Sequence, residues 1–150
     1  MGNRRKSREL AMQVLFYIDM SQNDSNDLLD RFCENFKPST KVLSFFLKLV
    51  RGVLETRSDI DKIIERFSDN WKLSRMSCVD RNVMRIAVYE LLCCNDIPYK
   101  VSINEAIDVG KKFGTEESGA FINGILDSIR AALENEDIKI EIDIQTNQTK

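Results

Sequence analysis

Only two prolines, Pro38 and Pro98, interrupt the 150 residues, so little in the chain forbids long helices. Apolar residues recur at helical spacing. Leu10, Ala11, Val14, Leu15 and Ile18 fall at i, i+1, i+4, i+5 and i+8, the core stripe of a helix expected from about Arg5 to Met20. "SQNDSND" (21–27) reads as a turn with capping residues, and a short helix follows to about Phe36. Pro38-Ser39-Thr40 opens a strongly apolar helix over "VLSFFLKLVRGVLE". A separate helix is expected from Ser58 to about Phe67, because Ser58 and the aspartates behind it suit a helix N-terminus.

"SDNWKLSRM" (68–76) reads as a loop between two halves. Ser77 with Asp80 three residues on forms a capping box for a long, nearly all-apolar helix to Cys94, which should be central. Asn95-Asp96-Ile97-Pro98 ends it. Ser102 and Glu105 suggest a second capping box, for a helix to Phe113 with Gly114 as its C-terminal glycine. Thr115 should cap the last helix, with Glu116 and Glu117 in its first turn. The expectation is an all-α fold of about seven helices in two small packed subdomains, 1–70 and 71–133. The acidic tail, 134–150, differs: Ile138, Ile140, Ile142 and Ile144 alternate with charges in a period of two. It is expected to be non-helical, flexible or loosely packed.

Several kinds of chemistry are excluded. No segment is apolar enough to span a membrane, and Gln13 and Asp19 break the N-terminal apolar run that a secretory signal would need, so the cytoplasm is the expected compartment. There is no histidine, which removes histidine-based triads and metal sites. Cys33, Cys78, Cys93 and Cys94 lack C-x-x-C spacing and read as free thiols. No phosphate-cradling glycine loop is present. Neither an enzyme nor a metal or other cofactor is expected.

One feature of the first helix is costly. Arg4, Arg5, Lys6 and Arg8 crowd its N-terminus, where unpaired N–H groups already carry roughly half a positive charge. The net charge of the chain is −2, so this is a local patch on a nearly balanced body. A bound polyanion would relieve the repulsion, and nucleic acid is the natural one. Lys100, Lys111 and Lys112 could extend such a surface. Tyr17, Tyr99, Phe113 and Phe121 could stack on single-stranded bases, although core packing competes for each. The same helix carries a second apolar row, Met12, Phe16 and Met20, on its far side, suited to a neighbour or a partner.

Three stretches carry a family likeness: "RRKSRELAMQVLFYIDMSQND", "DRNVMRIAVYELL" and "DIPYKVSINEAIDVGKKFGTEESGAFINGILD". In collinear order over about residues 4–130, the chain resembles the NusB family of transcription antitermination factors. The resemblance implies two small helical bundles and no catalysis. It implies binding of boxA, a short single-stranded element of nascent ribosomal RNA, together with the ribosomal protein NusE, within an antitermination complex on RNA polymerase. It leaves room for a homodimer when the partner is absent.

By that resemblance, Arg4, Arg5, Lys6 and Arg8 match an arginine-rich RNA-binding segment, and Glu117 and Phe121 match a second RNA-contacting region. Family members often have Asp where this chain has Glu117. Phe16 and Asp80 match positions that touch the ribosomal partner. Tyrosine is common at the former, so a hydroxyl contact is missing here. Arg85, Glu90, Asn104 and Glu105 are also characteristic, and are expected to tie helices together through hydrogen bonds. Two other functions compete. One is an RNA-binding module like the N-terminal part of ribosomal RNA cytosine methyltransferases, in which case the chain would be a truncated relative. The other is a protein adaptor that binds no RNA.

Overall fold

The computed structural model describes residues 2–21, 25–69 and 71–135. Six α-helices account for most of them: α1 (Gly2–Met20), α2 (Ser25–Phe36), α3 (Thr40–Arg66), α4 (Cys78–Cys93), α5 (Tyr99–Phe113) and α6 (Ser118–Glu134), with a 3₁₀ turn at Leu73–Arg75. The alternating isoleucines of the tail lie outside the described residues.

The expected core stripe of α1 is buried throughout: Leu10, Ala11, Val14, Leu15 and Ile18. It packs on α3 and α4, and one apolar cluster continues from there into α2, α5 and α6. The central position of α4 follows from its composition, since residues on every side of it, from Val83 to Leu92, are buried. Its start is as expected: Ser77 Oγ accepts the Asp80 N–H at 3.0 Å.

Three expectations need correction. The helices expected on either side of Ser58 are one 27-residue helix, α3, so there are six helices and not seven among the described residues. A Ser cap with acids behind it is worth about 1 kcal/mol, and the burial of Val53, Ile60 and Ile64 outweighs it. The Ser102–Glu105 capping box does not form, because α5 already begins at Tyr99 behind Pro98. Ser102 instead donates to Glu90 at 2.8 Å, and Glu105 accepts from Arg5. Finally, α6 begins at Ser118. Thr115 acts just before it, its hydroxyl accepting the Glu117 N–H at 3.3 Å, so Glu116 and Glu117 precede the helix.

Candidate nucleic-acid interface

The first turn of α1 contains no acidic residue, and its four cations take different roles. Arg8 is buried, contrary to the expectation that all four would face a phosphate. Its guanidinium makes a two-pronged bond to the Glu90 carboxylate, 2.8 Å on each arm, and reaches Glu105 at 3.2 Å. Burial pushes the Arg8 pKa down, but the hydrogen bonds and charge of Glu90 and Glu105 reverse this and hold it above its ordinary value. Arg8 is therefore a permanently charged clamp between α1, α4 and α5.

Arg5 pairs with Glu105 and Asp108, and Arg4 pairs with Asp96 at 3.3 Å. Both keep large exposed fractions, 42 % and 51 % of the side chain. The exposed Arg4–Asp96 pair contributes little to stability, whereas Arg5 grips the mostly buried Glu105 carboxylate with both arms. Lys6 is exposed. Arg4, Arg5 and Arg8 line a groove with Gly2, Ile97, Val101 and Glu105, between the starts of α1 and α5. The guanidinium of Arg4 also lies 4.8 Å from the centre of the Phe45 ring.

A line of contacts leads from this edge across α5. Lys112 reaches buried Glu9 of α1 at 3.1 Å, while its side chain stays 60 % exposed. The stem of Lys111 lies against Gly119, where a Cβ would stand 2.9 Å from Lys111 Cε. The next turn of α6 presents Phe121, half-buried, with Glu117 exposed before it. Lys100 is exposed near the start of α5. Tyr17 is 52 % exposed, while Tyr99 and Phe113 are half-buried against the core.

The expected partner row on α1 divides. Met12 is 2 % exposed and belongs to the core, because α1 is covered there on both sides; it cannot meet a partner. Phe16 is half-buried and Met20 is 67 % exposed. The Cys78 thiol sits 4.0 Å from the Phe16 carbonyl oxygen, so this end of α1 adjoins the start of α4 and Asp80. Asp80 Oδ1 is buried and has no hydrogen-bond partner in the chain. Beside it, Asp19 collects Arg81, Arg85 and Asn82 at 2.9–3.0 Å.

Of the remaining characteristic residues, Arg85 ties α4 to α3 through a two-pronged bond to Asp61 at 2.8 and 3.0 Å. Asn104 is exposed, and among the described residues its side chain makes no hydrogen bond between helices. No disulfide joins the four cysteines, and burial pushes the Cys94 thiol up to about 11. No cluster of potential metal ligands and no helix long and apolar enough to cross a membrane occurs among the described residues. Trp71, which no motif in the sequence singles out, is an exposed indole edge-on to Phe121. A lone tryptophan in a polar loop was the available signal.

The described residues place this chain in the class of small all-helical proteins, with exposed cations at the start of α1. The comparisons narrow this class. The model of the NusB family matches residues 5–131. The transcription antitermination protein NusB of Desulfatibacillum aliphaticivorans is 57 % identical over 137 residues, covering 91 % of this chain and 96 % of the relative. That of Desulfosudis oleivorans is 45 % identical over 153 residues, covering 100 % and 99 %. Among solved structures, T. maritima NusB superposes with a TM-score of 0.78 at 41 % identity, over 84 % of this chain and 89 % of that one. A structure of the antitermination factors NusB and NusE in complex with dsRNA gives 0.80 at 27 % identity, over 88 % and 98 %. The chain belongs to the NusB family.

Proposed function

We propose that the chain is an antitermination factor that binds boxA-type single-stranded RNA in nascent ribosomal transcripts, as a heterodimer with the ribosomal protein NusE. It acts by binding, in the cytoplasm, as part of a complex that helps RNA polymerase resist termination. The observation that carries this reading is the start of α1: Arg4, Arg5 and Lys6 are exposed or half-exposed around a helix N-terminus with no acid of its own. Such an edge adds fixed cations to free N–H groups, which favours phosphate. Lys100, Lys111 and Lys112 extend the charge, and Phe121 supplies a ring for a base. Glu117 stands at the margin, where its carboxylate could accept from a base amino group. Arg8 serves the site from below by fixing α1 against α4 and α5.

The partner surface is proposed at the other end of α1, from Phe16 and Met20 to Asp80. The 67 % exposure of Met20, beside half-buried Phe16 at the end of α1, supports this. The same surface could hold a second copy of the chain when NusE is absent. The neighbouring NusB–NusE–dsRNA structure supports both RNA and NusE as partners.

The test is binding of a boxA-type RNA oligonucleotide to the purified chain, with and without NusE. RNA should bind more tightly to the pair than to either protein alone. Absence of RNA binding at low salt, with the heterodimer intact, would favour the adaptor reading.

A further inference from the structure

We infer that Trp71 is a second base-stacking residue beside Phe121, extending the RNA track onto the loop between α3 and α4. The inference rests on the RNA-binding reading above. Trp71 is the only tryptophan of the chain, and 52 % of it faces solvent. Its backbone is nevertheless tied. The Trp71 N–H donates to the Ser68 carbonyl at 3.0 Å, and the buried Ser68 hydroxyl lies 2.7 Å from the Trp71 carbonyl oxygen. Two residues on, the Leu73 N–H donates to the Glu65 carboxylate at 2.8 Å. The loop is thus anchored to the end of α3 on both sides of the indole. The ring stands out in solvent between these bonded positions.

Its ring contact is with Phe121, centroids 6.2 Å apart and planes at 67°. An edge-to-face contact covers one face of the pair, which leaves broad aromatic surface open. The chemistry around it favours a base over an apolar protein surface. Lys72 and Ser74, on the same loop, are exposed, and among the described residues no carboxylate pairs with Lys72. Lys72 can therefore meet a phosphate flanking a stacked base. The position also continues the contact line already described, from Glu9–Lys112 through Lys111–Gly119 to Phe121. Every base has a π-face, so this platform adds affinity with little dependence on sequence.

The single indole gives a direct readout. A boxA-type single-stranded RNA added to the full chain should quench its tryptophan emission. Trp71→Ala should weaken RNA binding by about 5- to 150-fold, the range for losing one stacked base. Trp71→Phe should keep most of the affinity, and Trp71→Leu, which is apolar but has no π-face, should not. The slope of log affinity against log salt should be unchanged in all three, because no charge is removed. If wild type binds RNA but shows no quenching, and Trp71→Ala binds equally well, the platform is wrong and the RNA reading stands. If Trp71→Ala instead weakens NusE binding without RNA, the indole belongs to a protein interface and the inference fails. If wild-type chain binds no RNA at low salt, the underlying RNA reading itself fails.

Discussion

Lys6 and Arg8 lie two residues apart on one helix and do opposite work. Lys6 faces solvent, whereas the Arg8 and Glu90 side chains are 6 % and 1 % exposed and bond to each other. Removing one member of a buried ion pair strands the other charge, at about 3–5 kcal/mol. Arg8→Ala should therefore lower unfolding stability by about that amount in urea titrations, while Lys6→Ala leaves the midpoint unmoved. Glu105 provides a pH-dependent counterpart. The Arg5 hydrogen bond and the nearby guanidinium charges hold its carboxyl below the ordinary value of 4.5, against a smaller opposing effect of burial. A depressed carboxylate pKa stabilises the fold above the unfolded value and is lost as pH falls through the folded one. Stability should thus decline below about pH 4.5, and Glu105→Gln should flatten that acid limb.

The helices show what local pattern can and cannot carry. The α1 stripe from Leu10 to Ile18 was legible because a 3.6-residue repeat places those residues on one face, and the Ser77 cap because its partner is three residues away. The burial of Arg8 and Glu9 was not legible. It depends on Glu90 and Lys112, 82 and 103 residues distant, and no local periodicity records such a pairing. The break expected at Ser58 failed for the converse reason: a weak local signal met strong tertiary burial. Met12 reads as part of a partner row because α1 looks apolar on two sides, but the second side is partly covered within the chain itself. Gly52 of α3 is a further hidden constraint. A Cβ there would stand 2.2 Å from Tyr89 Cζ of α4, far inside van der Waals contact. Gly→Ala in a helix interior ordinarily stabilises by about 1 kcal/mol. Gly52→Ala should instead destabilise by about 1–3 kcal/mol in thermal or urea unfolding, as overpacking does.

Over the whole molecule, α1 connects two surfaces, a cationic edge at its start and the Phe16–Met20–Asp80 patch at its end. They should respond independently to mutation. Met20 is largely exposed, so Met20→Asp should leave stability unchanged and weaken the NusE heterodimer by about tenfold or more, read by calorimetry. RNA contacts at the other end should stay intact in that variant. The central claim is that the misplaced cations at the start of α1 divide into one structural arginine and three phosphate-facing residues. The salt dependence of RNA binding tests it most directly. Arg4, Arg5 and Lys6 are replaced together by Ala, Arg8 is kept, and affinity for a boxA-type single-stranded RNA is followed against salt in the presence of NusE. The log–log slope should fall by up to about two for a single strand while the fold persists. An unchanged slope would contradict the account, leaving the edge as a solvated helix terminus and the RNA bound elsewhere.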